Sequence, residues 1–165
     1  MNDTRVENLA KILVNYSVNV QPGEKVLLNG AVIALPLVKE VYRQILRAGG
    51  YPLILMQDDT LSEIEFAESN DDQLRHIPEP VKHVYESYDC FISVRAASNT
   101  RSLTGIDPSR QRIIQEARRE LAGKYMQRAA VGDARWVVTL FPTNAHAQEA
   151  DMSLADYEDF VYNAC

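Results

Sequence analysis

Short apolar runs alternate with amphipathic helical segments along most of the chain. Runs rich in β-branched and aromatic residues, bounded by turn residues, predict strands at 25–29, 51–56, 89–95 and 135–141. Strands that alternate with helices and are apolar along their length are typical of a parallel sheet covered on both faces. We therefore predict an α/β three-layer sandwich with a mainly parallel sheet of four or slightly more strands. Its topology should be Rossmann-like or flavodoxin-like.

The first βαβ unit predicts the order of the strands. Strand 25–29 leads through Gly30, where we expect a close chain reversal, to a helix with Pro36 near its first turn. Gly49 and Gly50 end that helix, and strand 51–56 follows at once. Right-handed crossovers can pack on either side of the first strand, so we predict the order 2-1-3-4 with that strand central.

The other helices are predicted from their caps and breakers. The chain opens on a helix over 2–16, and an acidic helix over 60–69 is broken at 70–72 by one Asn and two Asp residues. A long helix begins at Pro108 and continues to about residue 130. Gly123, a poor helix former, is a point at which this long helix can divide.

The C-terminal stretch departs from the strand–helix alternation. Pro142 ends the last strand, and Ser153 opens a final helix with Asp156 as an approximate capping box. No helix-stop signal follows, so the helix either continues in a longer protein or frays at a natural end. We divide the chain into an α/β domain over 1–141 and, over 142–165, a linker with the start of a junction helix. That helix presents an apolar face made of Leu154, Tyr157, Phe160, Val161 and Ala164.

Composition and charge exclude several classes of function. The 165 residues are 46% hydrophobic and 24% charged, which is ordinary for one globular domain. A net charge of −6 and a pI of about 5.1 argue against a nucleic-acid surface, which needs a basic stripe. The opening MNDTRVENLAK is not a signal peptide, and no apolar run is long enough to span a membrane. We expect a cytoplasmic protein with neither a nucleic-acid nor a membrane partner.

Two loops at the carboxyl ends of the predicted strands carry candidate binding residues. Ligands of open α/β sheets bind at these ends, and the Arg and Asn donors there can hold a carboxylate or a phosphate. Alternatively, these side chains satisfy neighbouring backbone carbonyls or acidic groups. The candidates for the binding cleft are Arg95, Asn99, Arg101, Thr143 and Asn144.

The chain lacks the common catalytic signatures. After the first strand it reads GAVIALPL, with one glycine where a dinucleotide fingerprint needs three, and neither GxxxxGK[ST] nor GxSxG occurs. His146 and Glu149 can share a helix face, but two ligands make only half a metal site. His76 and His83 are isolated, and Cys90 lies inside an apolar strand where its pKa should be raised. From the residues alone we predict no catalytic residue, no metal site and no cofactor.

Three stretches resemble a known family. LVNYSVNVQPGEKVLLNG, VKEVYRQILRAGGYPLI and FPTNAHAQEADMSLADYEDFVYNA are similar to the N-terminal domain of the thermophilic metallo-aminopeptidases, the aminopeptidase T or leucyl aminopeptidase family. The similarity covers nearly the whole chain. The last stretch resembles the junction at which that α/β domain leads into a catalytic domain.

The resemblance implies an activity for the parent protein rather than for this chain. Members of the family are two-metal aminopeptidases that remove N-terminal residues from peptides with two divalent ions, zinc, cobalt or similar. Their metal ligands lie in the C-terminal domain and match no position here, so the 165-residue chain alone should be inactive. The implied partners are its own C-terminal domain, a peptide substrate and a second copy in a homodimer. The alternative is a stand-alone α/β binding or interaction module that uses the loop from Arg95 to Arg101.

Overall fold

The computed structural model describes residues 3–164 and shows one sheet of four parallel strands. The strands lie in the order β2-β1-β3-β4, as predicted. Each begins within one residue of its predicted position, and the first runs two residues further than expected. Their bounds are Lys25–Ala31 (β1), Tyr51–Gln57 (β2), Cys90–Arg95 (β3) and Arg135–Leu140 (β4).

Helices connect the strands and cover the sheet. α1 continues directly into a π-helical segment, Ile12–Ser17, and a 3₁₀ turn, Val32–Ala34, precedes α2. The predicted start of the first helix at Asn2 lies outside the described residues. The α-helices are Thr4–Lys11 (α1), Leu35–Arg47 (α2), Asp59–Glu68 (α3), Asp71–Arg75 (α4), Glu79–Ser87 (α5), Pro108–Ala130 (α6), Asn144–Glu149 (α7) and Leu154–Asn163 (α8).

The two faces of the sheet bury separate apolar cores. On the first face, Leu28 and Ile92 pack with residues of α1 and α2 in the larger cluster. On the second face, Phe91 packs against Tyr125 of α6 with ring centroids 4.5 Å apart, and Val84 of α5 joins them. Successive side chains of a strand point to opposite faces, so β1 and β3 contribute to both cores. This gives the three-layer sandwich that the sequence predicts.

Gly30 has a different role from the predicted chain reversal. It lies inside β1, which continues to Ala31. A Cβ atom on Gly30 would lie 2.5 Å from Cγ2 of Val38, so the missing side chain lets α2 pack closely on the strand. The prediction of a reversal at Gly30 is therefore wrong, because the turn begins two residues later.

Two details of the helix predictions are also corrected. α6 is continuous over 23 residues, so Gly123 does not divide it. The break after α3 falls at Ser69–Asn70, and Asp71 already belongs to α4. The Asn70 side chain accepts a hydrogen bond from the backbone N–H of Gln73, and the Gln73 side chain accepts one from the backbone N–H of Asn70, which makes a capping box. The polar run is thus the start of a short helix rather than only a breaker.

α8 lies against α1 at the first face. Arg5 of α1 pairs with Glu158 at 3.0 Å and with Asp159 at 2.7 Å, and its guanidinium carbon lies 5.0 Å from the ring centroid of Tyr162. On the predicted apolar face of α8, three residues are half-buried, whereas Phe160 and Ala164 are exposed. None of the helices over 3–164 is both long and apolar enough to cross a bilayer.

Candidate functional site

Hydrogen bonds connect the segments that follow the carboxyl ends of the strands. After β2, Asp59 Oδ2 accepts hydrogen bonds from the backbone N–H of Ser98 at 3.0 Å and from its hydroxyl at 3.3 Å. After β4, the hydroxyl of Thr143 donates to the carbonyl of Ala97 at 2.8 Å. The loop that follows β3 is therefore hydrogen-bonded to the segment after β2 and to the segment after β4.

Thr143 is a buried part of this arrangement. Only 5% of the residue is exposed, and its hydroxyl also accepts from the backbone N–H of His146 at 3.3 Å at the start of α7. The ring Nδ1 of His146 lies 3.0 Å from the same oxygen. With its hydroxyl shared among these neighbours, Thr143 fixes the start of α7.

Asn99 and Arg101 are engaged at the surface. Asn99 Oδ1 accepts from the backbone N–H of Arg101 at 2.9 Å, and Arg101 Nε donates to Glu149 Oε1 at 3.2 Å. Thr100 donates its hydroxyl to the same carboxylate at 2.9 Å. Hydrogen bonds from Thr100 and then Arg101 lower the pKa of Glu149 below its usual value. The Arg101 side chain is still 75% exposed, so this pair lies in solvent.

A shallow depression of about 460 Å³ lies between the β3 loop and α7. It brings Asn99 and Arg101 together, two of the five candidate binding residues. Arg95 and Asn144 are exposed and lie outside its lining, and Thr143 is buried and also lies outside it. The role of these residues in binding stays a prediction. The depression is lined by Ser98, Asn99, Thr100, Arg101, Ala145, Gln148, Glu149 and Asp151.

His146 and Glu149 do not converge on a common point. The His146 ring turns to Thr143, whereas Glu149 pairs with Arg101. Across residues 3–164, no three side chains of His, Cys, Asp or Glu are grouped so that they could hold a metal ion. The Cys90 thiol is buried, which raises its pKa to about 12 and keeps it protonated.

The opposite end of the sheet carries an ion pair that the sequence did not indicate. Arg135, at the start of β4, donates to the Val18 carbonyl at 2.7 Å and to the Glu24 carboxylate. Its Nη2 also lies 3.2 Å from the Cys90 sulfur. Burial tends to raise the pKa of Glu24, but hydrogen bonds from Arg135 and from the backbone of Gln21 outweigh it and lower that pKa. The cluster joins β3 and β4 to the turn before β1.

Long-range pairs explain what sequence reasoning missed here. Arg135 and Glu24 are 111 residues apart, and Ser98 is 39 residues from Asp59. Asp58 caps α3 by accepting from the backbone N–H of Thr60 at 2.9 Å. Local spacing shows a cap, because its two members are neighbours in sequence. It cannot show a partner that only the fold brings near.

The fold and these contacts define a parallel α/β domain with polar loops at the carboxyl ends of its strands. Comparison with known proteins identifies the family of this domain. The family profile of the thermophilic metalloproteases (M29) matches residues 2–165, and the chain belongs to that family. This confirms the resemblance seen in the sequence.

Two relatives show how the chain compares with longer proteins. It is 23% identical to Aminopeptidase 2 of Geobacillus stearothermophilus over 161 residues, which cover 94% of this chain and 39% of the relative. The structure of wild-type AmpT from Thermus thermophilus superposes with a TM-score of 0.78 at 16% identity, over 98% of this chain and 42% of AmpT. At that identity the superposition shows the fold. The chain spans about two fifths of the length of these relatives.

Proposed function

We propose that this chain is the N-terminal α/β domain of a metal-dependent aminopeptidase that removes N-terminal residues from peptides. The family match over residues 2–165 carries the proposal, together with relatives that are more than twice as long. The family name implies a metal centre. We propose that this centre lies C-terminal to residue 165, and that the present domain shapes access to it.

The side chains of residues 3–164 do not fit a pair of divalent ions such as zinc or cobalt. The two groups at ligand spacing, His146 and Glu149, hydrogen-bond to different neighbours. A catalytic metal needs three or more convergent protein ligands and an open position, which the described residues do not provide. We therefore assign no metal ligand and no catalytic residue to this chain.

The hand of the crossovers supports a domain boundary after β4. The connection from β1 to β2 runs through α2 on the first face. The connections in the opposite direction, toward β4, run through α5 and α6 on the second face. All of these connections therefore cross over with the same hand, as expected for a parallel sheet. α8 lies on the first face, so a parallel strand added beyond β4 after it would need the opposite hand. We infer that residues 142–165 lead out of the sheet toward another domain.

Activity assays on two lengths of the protein test this proposal. The gene is read past the codon for Cys165, and the longer product is purified beside the 165-residue chain. Both are assayed with leucyl-p-nitroanilide and added cobalt or zinc, with a chelated sample as the control. We expect metal-dependent hydrolysis by the longer product and none by the 165-residue chain.

Each other outcome contradicts a different part of the proposal. Metal-dependent turnover by the 165-residue chain would show that its own side chains complete the centre. A longer product that binds metal but cleaves no peptide would contradict the aminopeptidase function. A gene that stops after Cys165 would favour the alternative of a stand-alone binding module.

A further inference from the structure

Two polar residues interrupt the apolar central strands on the second face of the sheet. Leu27 of β1 and Phe91 of β3 belong to the core of that face. Side chains two positions apart point to the same face of a strand, so Asn29 and Ser93 also face that side. The two are register partners on adjacent strands, and both are half-buried. Covered parallel strands are normally apolar along their whole length, so a polar pair at one register position indicates a specific role.

Two further polar residues lie on the same face, one step nearer the carboxyl ends of the strands. Arg95 follows Ser93 by two positions in β3, and Gln57 follows Leu55, which packs against the second core, by two positions in β2. Both residues are exposed. Adjacent strands are about 4.8 Å apart and alternate residues are about 6.6 Å apart, so the four polar residues span roughly 10 Å by 7 Å. We call them the polar patch: Asn29, Gln57, Ser93 and Arg95.

The side chains of the polar patch have no partner among residues 3–164. None of the four makes a hydrogen bond or an ion pair there. On the first face, by contrast, the same central strands are buried nearly to their ends, with Leu28 at 0% and Val94 at 2% exposed. On the second face, the helices pack around Phe91, nearer the amino ends. The carboxyl half of this face is thus left with unused donors and acceptors.

The patch lies where the strand order of the sheet reverses. β1 is followed in sequence by β2 on one side of it, and β3 is followed by β4 on the other. In open α/β sheets, ligands bind in the crevice outside the carboxyl ends of two such neighbouring strands. Asn29 and Ser93 belong to these two strands, and so does Arg95. The topology therefore marks the polar patch as a ligand site.

The turn after β1 does not form a phosphate site. Phosphates bind to free backbone N–H groups at a glycine-rich turn and at the start of the following helix. Here the N–H of Leu35 donates to the Val32 carbonyl, and Pro36 in the first turn of α2 has no N–H. The guanidinium of Arg95 is a planar fork of donors that fits a carboxylate. The patch thus suits a carboxylate on a polar backbone better than a nucleotide.

We propose that the polar patch binds the carboxyl-terminal residue of a short peptide. Arg95 pairs with the terminal carboxylate, and the side-chain amides of Asn29 and Gln57 bond the last peptide group. The choice of a peptide rests on the proposed function, because the substrates and the shortened products of an aminopeptidase end in a carboxylate. Gln57 also lines a groove of about 690 Å³ between α3 and α6, where Leu61 and Ile114 can receive apolar side chains of the preceding residues.

Titration of the 165-residue chain with two tripeptides tests the site. Leu-Gly-Leu is compared with its C-terminal amide by NMR of the backbone amides, with a chelator present so that metal-dependent cleavage does not interfere. We expect shifts at 29–31, 57 and 93–97 and a Kd of about 1 mM for the acid, which corresponds to one charge pair and a few hydrogen bonds. The amide should bind about fivefold more weakly, because it lacks the charge that pairs with Arg95.

Substitutions assign the contacts. Arg95→Met should make the acid bind as weakly as the amide, because the guanidinium is what discriminates between them. Gln57→Ala should weaken the binding of both peptides alike, since it removes an amide contact and leaves the charge. Arg112→Met is the matched control, because this arginine is exposed on α6, has no side-chain partner among residues 3–164 and lies outside the patch. The NMR spectrum of each variant reports whether it is folded.

The longer product gives a second readout. Its kcat/KM for Leu-Gly-Leu, relative to that for the amide, should fall about fivefold in Arg95→Met and stay unchanged in Arg112→Met. If the longer product hydrolyses neither these peptides nor leucyl-p-nitroanilide, the proposed function fails, and the titration of the 165-residue chain still decides whether the patch binds a peptide carboxylate.

Three results would overturn the proposal. The first is no binding of either peptide up to about 20 mM, well above the expected Kd. The second is equal binding of the acid and the amide by the wild type, or an equal loss in Arg95→Met and Arg112→Met, since the carboxylate then has no specific partner. The third is tighter binding of inorganic phosphate than of the peptide at the same amides, which would indicate a phosphate site.

Discussion

The two ends of the strands are held in different ways. At the amino ends, Arg135 and Glu24 form a pair whose side chains are 37% and 19% exposed, and Arg135 also bonds the Val18 carbonyl. At the carboxyl ends, Arg101 and Glu149 form a pair whose side chains are 75% and 46% exposed. Ion pairs in solvent stabilise a fold little, whereas partly buried pairs are costly to break. The ion pair at the end of the sheet where ligands of α/β domains bind should thus be the less costly of the two to break.

Breaking the pair at the amino ends should have the largest effect. Arg135→Met leaves Glu24 partly buried without its cation and also removes the donor to Val18. Loss of one partner of a buried pair costs more, but about a third of Arg135 is exposed, so we expect a loss of about 1–3 kcal/mol in the free energy of unfolding. Urea denaturation measures it.

Arg95→Met is the matched control for this variant. Arg95 lies at the carboxyl end of β3, is exposed, and makes no side-chain hydrogen bond or ion pair with residues 3–164. Its loss should change the free energy of unfolding by less than about 0.5 kcal/mol. Equal losses of stability in Arg135→Met and Arg95→Met would show that the amino ends of the strands are held no more firmly than the carboxyl ends.

Thr143→Val should have an intermediate effect, because it is the one buried contact among the carboxyl-end loops described above. Valine keeps the shape of threonine but loses the hydroxyl that donates to Ala97 and caps α7. Loss of a helix cap together with a buried hydrogen bond should lower the free energy of unfolding by about 1–2 kcal/mol. Thr100→Val removes an exposed hydroxyl and is the control. Equal effects from both would show that burial does not distinguish Thr143.

The pH dependence of stability should also report the pair at the amino ends. Although burial opposes it, the hydrogen bonds from Arg135 and Gln21 hold the pKa of Glu24 below its ordinary 4.5 in the folded state. The stability from Glu24 is therefore fully present above its unfolded pKa and is lost as pH falls through the lower folded pKa. Denaturation of Glu24→Gln at a series of pH values should show a smaller loss of stability than the wild type between pH 6 and pH 3. Equal losses would mean that Glu24 titrates normally.

The sequence predicted the arrangement of strands because each strand is a local signal. The runs at β1 and β3 are apolar on both faces, and the short turn through Gly49 fixes β2 beside β1. The prediction at Gly30 is wrong because a glycine at a strand end is also a turn signal, and only the position of Val38 in the fold shows its packing role. At the candidate site, the residues of the loops were found from topology, since parallel strands end at one edge. Which donor meets which acceptor, as in Arg101 with Glu149, depends on the packing of α7 and leaves no local pattern.

The smallest effect is expected from Glu149→Gln, which breaks the exposed pair with Arg101. Because the pair lies in solvent, the midpoint of urea denaturation should stay within experimental error of the wild type. Amide exchange at 98–101 should nevertheless rise by about two- to fivefold, since Glu149 also accepts from Thr100 and ties this loop to α7. Glu116→Gln, an exposed change on α6, is the control and should alter neither measurement. A lowered midpoint in Glu149→Gln, comparable to that of Arg135→Met, would show that the carboxyl-end loops are held as firmly as the amino ends, and the contrast between the two ends would be lost.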